Sequence, residues 1–410
     1  MYKMGDFPLV MTETEQMIVQ VIHQFVENEI KPVRDKLDDD TNHVLINEIL
    51  GKMAGLGVFS VQIPEKGVTP PPGLRPGVIN YIIEEMATGD VGIGIVTSIN
   101  AWALSAARLA ENIEILKLFQ SMGEKYSPCL GCFAMTEAAS GCDIENLSQL
   151  RGRTIQTRAV QDGNEWVING AKRFPSSAGV AHLYCVVCQT DPSKGEDGIA
   201  LIYVPKENKG VSFGKFEVKA GMQSDRNADI YFDNVRVPLS YRAAGPGRDA
   251  ELMKYNLVIG RVASAAAAVG SARGAFEEVL KFTETRIVGG KPVRDHSIAA
   301  GMLAEMATGI ETARAHYLMV ADMMSQPDFY GPAHSEALLS QASISKNYAT
   351  EMAISVTNKA MELMGSYGYI RDYHVEKYWR DVKEVQLWLG GAQLGRFDVV
   401  RGYYPYKTVA

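Results

Sequence analysis

Between Thr12 and Asn112 the apolar residues recur at helical spacing. Met17, Ile18, Val21, Ile22 and Phe25 form one stripe, and Thr12 with Glu15 makes a capping box ahead of it. Pro32 should end or bend that helix. Asn47 to Ala54 predicts a short helix closed by Gly55 and Gly57. Residues 64 to 77 carry prolines at 64, 70, 71, 72 and 76 and read as a loop. Val78 to Thr88 is helical again, and Gly89-Asp90 breaks it before a helix from Val91 to about Ile99. From Leu130 to about Pro238 the period falls to two. Short runs such as Trp166–Ile168, Leu183–Cys188, Ala200–Val204 and Ile230–Phe232 alternate with Gly, Asn and Asp turns. Helical patterns return in long segments at about 250–285, 295–324, 333–365 and 373–400. The order predicts a mixed α+β protein: an N-terminal α-helical domain (1–129), a middle β domain of barrel or sandwich type (130–245) and a C-terminal four-helix bundle (246–410).

Composition narrows the classes. A chain of 410 residues exceeds one ordinary core, in keeping with several domains. Its 46% hydrophobic and 22% charged residues describe a globular protein. A net charge of −7, with no dense Lys/Arg tract, argues against nucleic acid as a partner. No apolar run reaches a membrane span, and Met1 to Gln20 lacks a secretory or transit pattern, so a cytoplasmic, bacterial protein is expected. Two C-x-x-C pairs, Cys129/Cys132 and Cys185/Cys188, invite a metal reading. Both lie in strand-like runs, where residues three apart face opposite ways, so buried reduced thiols and no metal are expected.

The candidate chemistry begins at Cys132-Phe-Ala-Met-Thr-Glu-Ala-Ala-Ser-Gly-Cys-Asp143, where an apolar run meets a loop of small and hydroxyl residues. Such a loop lets a planar ring or phosphate approach the backbone closely. Its order of residues resembles the flavin-loop signature of the acyl-CoA dehydrogenase family, A-M-T-E-P-G-A-G-S-D, with Ala138, Ala139 and Cys142 departing from it. Further stretches resemble the family's motifs in register. Asn169-Gly-Ala-Lys-Arg-Phe-Pro-Ser-Ser-Ala178 is similar to its second flavin segment, and is equally a hairpin turn. Thr285-Arg-Ile-Val-Gly-Gly-Lys-Pro292, Met364-Gly-Ser-Tyr-Gly-Tyr369 and the closing segment Arg380 to Arg396 resemble three more. The resemblance implies the family's three-part fold, FAD, an acyl-CoA substrate, an electron-transfer flavoprotein as acceptor and a homotetramer. It implies that Phe133, Met135, Thr136, Gly141, Cys142, Phe174, Ser176, Gly390 and Gln393 hold the flavin, with Arg286 reaching a diphosphate across a subunit interface. Gly289 stands where the family has Phe. Arg261 matches an Arg near the CoA arm, although a lone Arg is more often an ion-pair residue.

The frame also exposes a departure. The family's usual catalytic glutamate position is Leu389 here, and the known alternative, just before the Arg of the bundle's first helix, is Gly260. Neither accepts a proton. Asp90 is the expected substitute base: it opens a helix on which Gly94 and Ser98 follow at i+4 and i+8, facing a wide acyl pocket bordered by Leu389. Asp is equally a favoured N-cap. A displaced carboxylate and a wide pocket resemble the cyclohex-1-ene-1-carboxyl-CoA dehydrogenases of the family, implying a cyclic or already unsaturated acyl-CoA. The alternatives are a desulfinase or lyase, an enoyl-CoA reductase, or a flavin-bearing binding protein without turnover.

Overall fold

The computed structural model describes residues 10–61, 63, 74–141 and 155–404. Helix α1 (Glu13–Phe25) starts on Thr12, whose side chain caps Glu15 while Glu15 caps back. Pro32 does not stop the chain's coiling. A π turn (Val26–Ile30) and a 3-10 turn (Lys31–Val33) carry it into α2 (Arg34–Leu37). After α3 (Val44–Gly55), α4 runs Pro76–Gly89, so Pro76 opens a helix at its first turn, where a missing N–H costs nothing. Helix α5 extends from Val91 to Leu109, well past Ile99, through an alanine-rich stretch. An unforeseen α6 (Ile113–Gly123) follows, capped by Asn112.

The middle region is one seven-stranded mixed sheet: β1 (Gly131–Ala134), β2 (Arg158–Asp162), β3 (Glu165–Lys172), β4 (Leu183–Gln189), β5 (Ile199–Pro205), β6 (Val211–Phe216) and β7 (Ala228–Pro238). Its order is β1-β4-β2-β3-β7-β6, with β5 also on β4. All of β4 is buried. Its alternate residues pack into separate cores, Tyr184, Val186 and Cys188 in one and Leu183, Cys185 and Val187 in the other. A strand covered on both faces reads as a continuous apolar run. The members of each C-x-x-C pair therefore part company, Cys132 and Cys188 on one side and Cys129 and Cys185 on the other.

The C-terminal region packs α7 (Arg248–Thr285), α8 (Ser297–Met324), α9 (Glu336–Met364), α10 (Val375–Leu387) and α11 (Gly391–Tyr403). The segment 373–400 is thus two helices. Leu389 and Gly390 take positive φ of 47° and 83° and break the backbone between them. Small residues let α7 lie against α4: a Cβ on Gly270 would meet Ala87 Cβ at 2.7 Å as well as the Glu84 carbonyl. Among the described residues no helix is long and apolar enough to cross a membrane.

Candidate active site

The two flavin-like stretches form one physical unit. Glu137, following Thr136, is buried and accepts from the backbone N–H groups of Gln156 (2.6 Å) and Thr157 (3.0 Å). Its other partner is Lys172 at 2.8 Å, wholly buried at the end of β3, which also donates to the Met135 carbonyl (2.9 Å). Burial would raise the Glu137 carboxyl, but Lys172 and the Thr157 bonds hold it below the usual carboxylate range. The Arg173 N–H then donates to the Thr136 carbonyl (2.8 Å). So the loop after β1 is fastened to the turn after β3.

That turn is strained. Phe174 and Ser177 have φ of 61° and 63°, and Phe174 stays 56% exposed. Such backbone in bulky residues clusters at functional sites. The Ser176 hydroxyl donates to Asp225 Oδ2 (2.7 Å).

Phe133, Met135, Thr136, Gly141, Phe174 and Ser176 line one wall of a cavity of about 980 Å³. A Cβ on Gly141 would meet nothing within 4 Å, leaving that wall open. Flat side chains, a hydroxyl and an uncrowded backbone at this wall suit a planar ring system.

Next to it the wall is apolar where a base would be expected. Trp102 donates from its indole N–H to the Asn256 carbonyl (2.9 Å), and its ring lies 4.9 Å from that of Phe133. Gly260 and Leu389, far apart in sequence, meet here. A Cβ on Gly260 would stand 3.1 Å from Leu389 Cδ1 and 3.2 Å from Trp102 Nε1. Ser98 and Gly390 also line the cavity. Two carboxylates, Glu217 and Glu384, lie on the wall. Glu384 sits on α10, and its Oε2 is 3.2 Å from Lys219 Nζ. Burial pushes its carboxyl up to about 7 against the pull of Lys219, with Asp225 and Asp381 adding to the rise.

Other expected residues lie elsewhere. Asp90 is buried away from the cavity wall as the N-cap of α5: its Oδ1 accepts from the Ile93 N–H (2.9 Å) and the Ser224 hydroxyl. Its Oδ2 is 2.9 Å from Lys377 Nζ, which also holds Asp38 and Asp381. A carboxylate that caps through one oxygen and is ion-paired through the other meets the cap reading, not that of a base facing substrate. Gly94 faces α4, where its Cβ would meet Ala87 Cβ at 2.9 Å, so it widens no pocket. Arg261 is buried in the bundle, donating to Asp398 (2.6 Å) and Ser343 (2.7 Å), rather than lining the cavity for a CoA arm. Arg286 is exposed at the end of α7 over the Tyr367 ring, and Gln393 accepts from Arg396 (2.9 Å), both off the cavity. Cys142 lies outside the described residues. Sequence reading missed Trp102, Lys219, Asp225 and Glu384. Only Glu384 left a signal, a carboxylate in the closing motif five residues before Leu389.

Models of the acyl-CoA dehydrogenase N-terminal, middle and C-terminal domains match residues 12–111, 132–235 and 250–403. A cyclohex-1-ene-1-carbonyl-CoA dehydrogenase of Syntrophus aciditrophicus is 30% identical over 94% of this chain and 89% of its own length. An acryloyl-CoA reductase (NADH) of Anaerotignum propionicum is also 30% identical, over 97% of this chain and 96% of its own. The solved butyryl-CoA dehydrogenase of Megasphaera elsdenii superposes with a TM-score of 0.81 at 25% identity, covering 97% and 100% of the two chains. With all three domain models matched in order along the helical, sheet and helical regions, the chain belongs to the acyl-CoA dehydrogenase family, whose members are flavin-dependent oxidoreductases acting on CH–CH groups.

Proposed function

We propose that the protein is an FAD-dependent oxidoreductase of a cyclic or already unsaturated acyl-CoA, such as cyclohex-1-ene-1-carboxyl-CoA, which it would convert to a cyclic diene. The observation that carries this reading is the apolar meeting of Gly260, Leu389 and Trp102. Both positions at which the family keeps its glutamate lie side by side here, and neither holds a proton acceptor. An α-proton of a saturated thioester would face hydrocarbon and indole. In a conjugated enoyl thioester the γ-proton is acidified through the double bond, so a group placed elsewhere on the wall can take it.

Bound FAD would supply the two-electron hydride acceptor. Phe133, Met135, Thr136, Gly141, Phe174, Ser176 and Gly390 would hold its ring, with Arg286 and Gln393 completing the site of a neighbouring subunit in a homotetramer. Ser98, Trp102 and Leu389 would bound the acyl group. The acceptor would be a cytoplasmic electron-transfer flavoprotein. The Anaerotignum relative supports a second reading, in which the same site reduces an enoyl-CoA.

Anaerobic mixing separates these readings. Oxidised enzyme should bleach its flavin band with cyclohex-1-ene-1-carboxyl-CoA and not with butyryl-CoA. Absence of bleaching with every thioester, together with reoxidation of the reduced enzyme by an enoyl-CoA, would leave the reductase reading in its place.

A further inference from the structure

The usual positions are apolar and Asp90 is tied to Lys377, which leaves the carboxylates on the wall to exchange a proton. We propose that Glu384 is the catalytic acid–base of this cavity, held in place by Lys219. The inference rests on the function proposed above, which it deepens.

Glu384 lies on the last turn of α10, and the N–H of Trp388 donates back to its carbonyl (3.3 Å). The chain leaves α10 and turns at Leu389, five residues on, and Glu384 and Leu389 both line the cavity. Its side chain is 26% exposed, open to a ligand yet largely withdrawn from water. Lys219 is fixed independently, donating to the Asp225 carbonyl (2.8 Å) and the Asn227 side chain (2.6 Å), and its third hydrogen faces Glu384. The loop before β7 thereby presents one cation and one carboxylate, Asp225, to Glu384; its own helix adds Asp381. Burial, against the pull of Lys219 and with Asp225 and Asp381 adding to it, brings the carboxyl to about 7, where a group both accepts and returns a proton at neutral pH. Asp225, wholly buried, bonds the Ser176 hydroxyl, so the acid–base stands beside the wall assigned to the ring.

The step balances without another reagent. The substrate C–H yields its proton to Glu384 Oε, and its electron pair becomes the new C=C bond. The conjugated bonds would shift, and bound FAD would supply the acceptor for the hydride lost from the far carbon. In the reducing direction protonated Glu384 returns the proton to carbon.

Solvent exchange reads the proton step without net oxidation. The enzyme is incubated anaerobically with cyclohex-1-ene-1-carboxyl-CoA in deuterated buffer, and label in the thioester is followed by mass spectrometry beside flavin bleaching. Wild type should exchange with a rate that rises with pH through about 7. Glu384→Gln should keep its flavin, lose exchange at least ~100-fold and lose that pH dependence. Glu384→Asp should restore part of the rate. Unchanged exchange in Glu384→Gln, or loss in Glu217→Gln instead, overturns the assignment while leaving the proposed function standing. Exchange that needs Glu384 without any bleaching would keep the assignment and sink the oxidation. Wild type that neither exchanges nor bleaches removes both. Loss of flavin from Glu384→Gln and Glu384→Asp alike would make the residue a cofactor holder and also end the assignment.

Discussion

Leu389 and Asp90 illustrate how a residue's neighbours decide its chemistry. Leu389 reaches the cavity beside Gly260 and Trp102 from a left-handed backbone. Leu389→Glu should place a carboxylate at the apolar wall and let the flavin bleach with a saturated straight-chain acyl-CoA, gaining roughly 100-fold or more over wild type. Anaerobic stopped-flow with butyryl-CoA checks it. Asp90 is the converse: a residue suited to catalysis by type that is employed as a cap and counter-ion. Asn caps a helix as well as Asp, so Asp90→Asn should remove only one of the three carboxylates around Lys377. We expect a loss of about 1–2 kcal/mol in denaturant unfolding, with the rate of flavin bleaching unchanged. The N-cap alternative was legible in the sequence from Gly89-Asp90 at a helix start. The choice between cap and base was not, because Lys377 and Ser224 arrive from distant elements.

At the scale of elements, the site depends on two turns that local pattern describes only separately. The loop after β1 and the turn after β3 share the Glu137–Lys172 pair. Removing one member of a buried pair strands the other charge, at a cost of about 3–5 kcal/mol. Lys172→Met should therefore lower stability by that order and release flavin from the purified protein. Unfolding in urea and the ratio of flavin to protein absorbance measure the two effects. The motif Lys and Glu were visible in the sequence, but their pairing was not, since 35 residues separate them. The same limit explains the last helix. Its apolar repeat runs on past Leu387, and only the positive φ at Leu389 and Gly390 divides it, aiming Leu389 into the cavity.

Across the whole molecule, buried charges set the response to pH. Burial would raise Asp38, Glu85, Glu137 and Glu278, but their Lys and Arg partners bring all four below the ordinary carboxylate range. A carboxylate with a depressed folded value stabilises the fold above its unfolded value, and that contribution is lost as pH falls through the folded one. Glu384 and Asp381 are raised, chiefly by burial, so their contribution is present in acid and fades as pH rises, for Glu384 through about 7. Thermal midpoints should thus peak near the ordinary carboxylate values, at roughly pH 4–5, and decline on both sides. Glu384→Gln should flatten the alkaline decline by on the order of 1 kcal/mol while leaving the acid limb intact. Periodicity alone determined the order of helices, sheet and bundle, because apolar spacing of 3.6 or 2 reports which face must leave water. Residue order alone determined the family and the vacancy at Leu389 and Gly260. Tertiary structure decided that these two vacancies adjoin, that Asp90 and Arg261 are tied into buried ion pairs, and that Glu384 opens onto the cavity. Each of those facts rests on contacts between residues remote in the chain, and such contacts leave no local trace in its pattern.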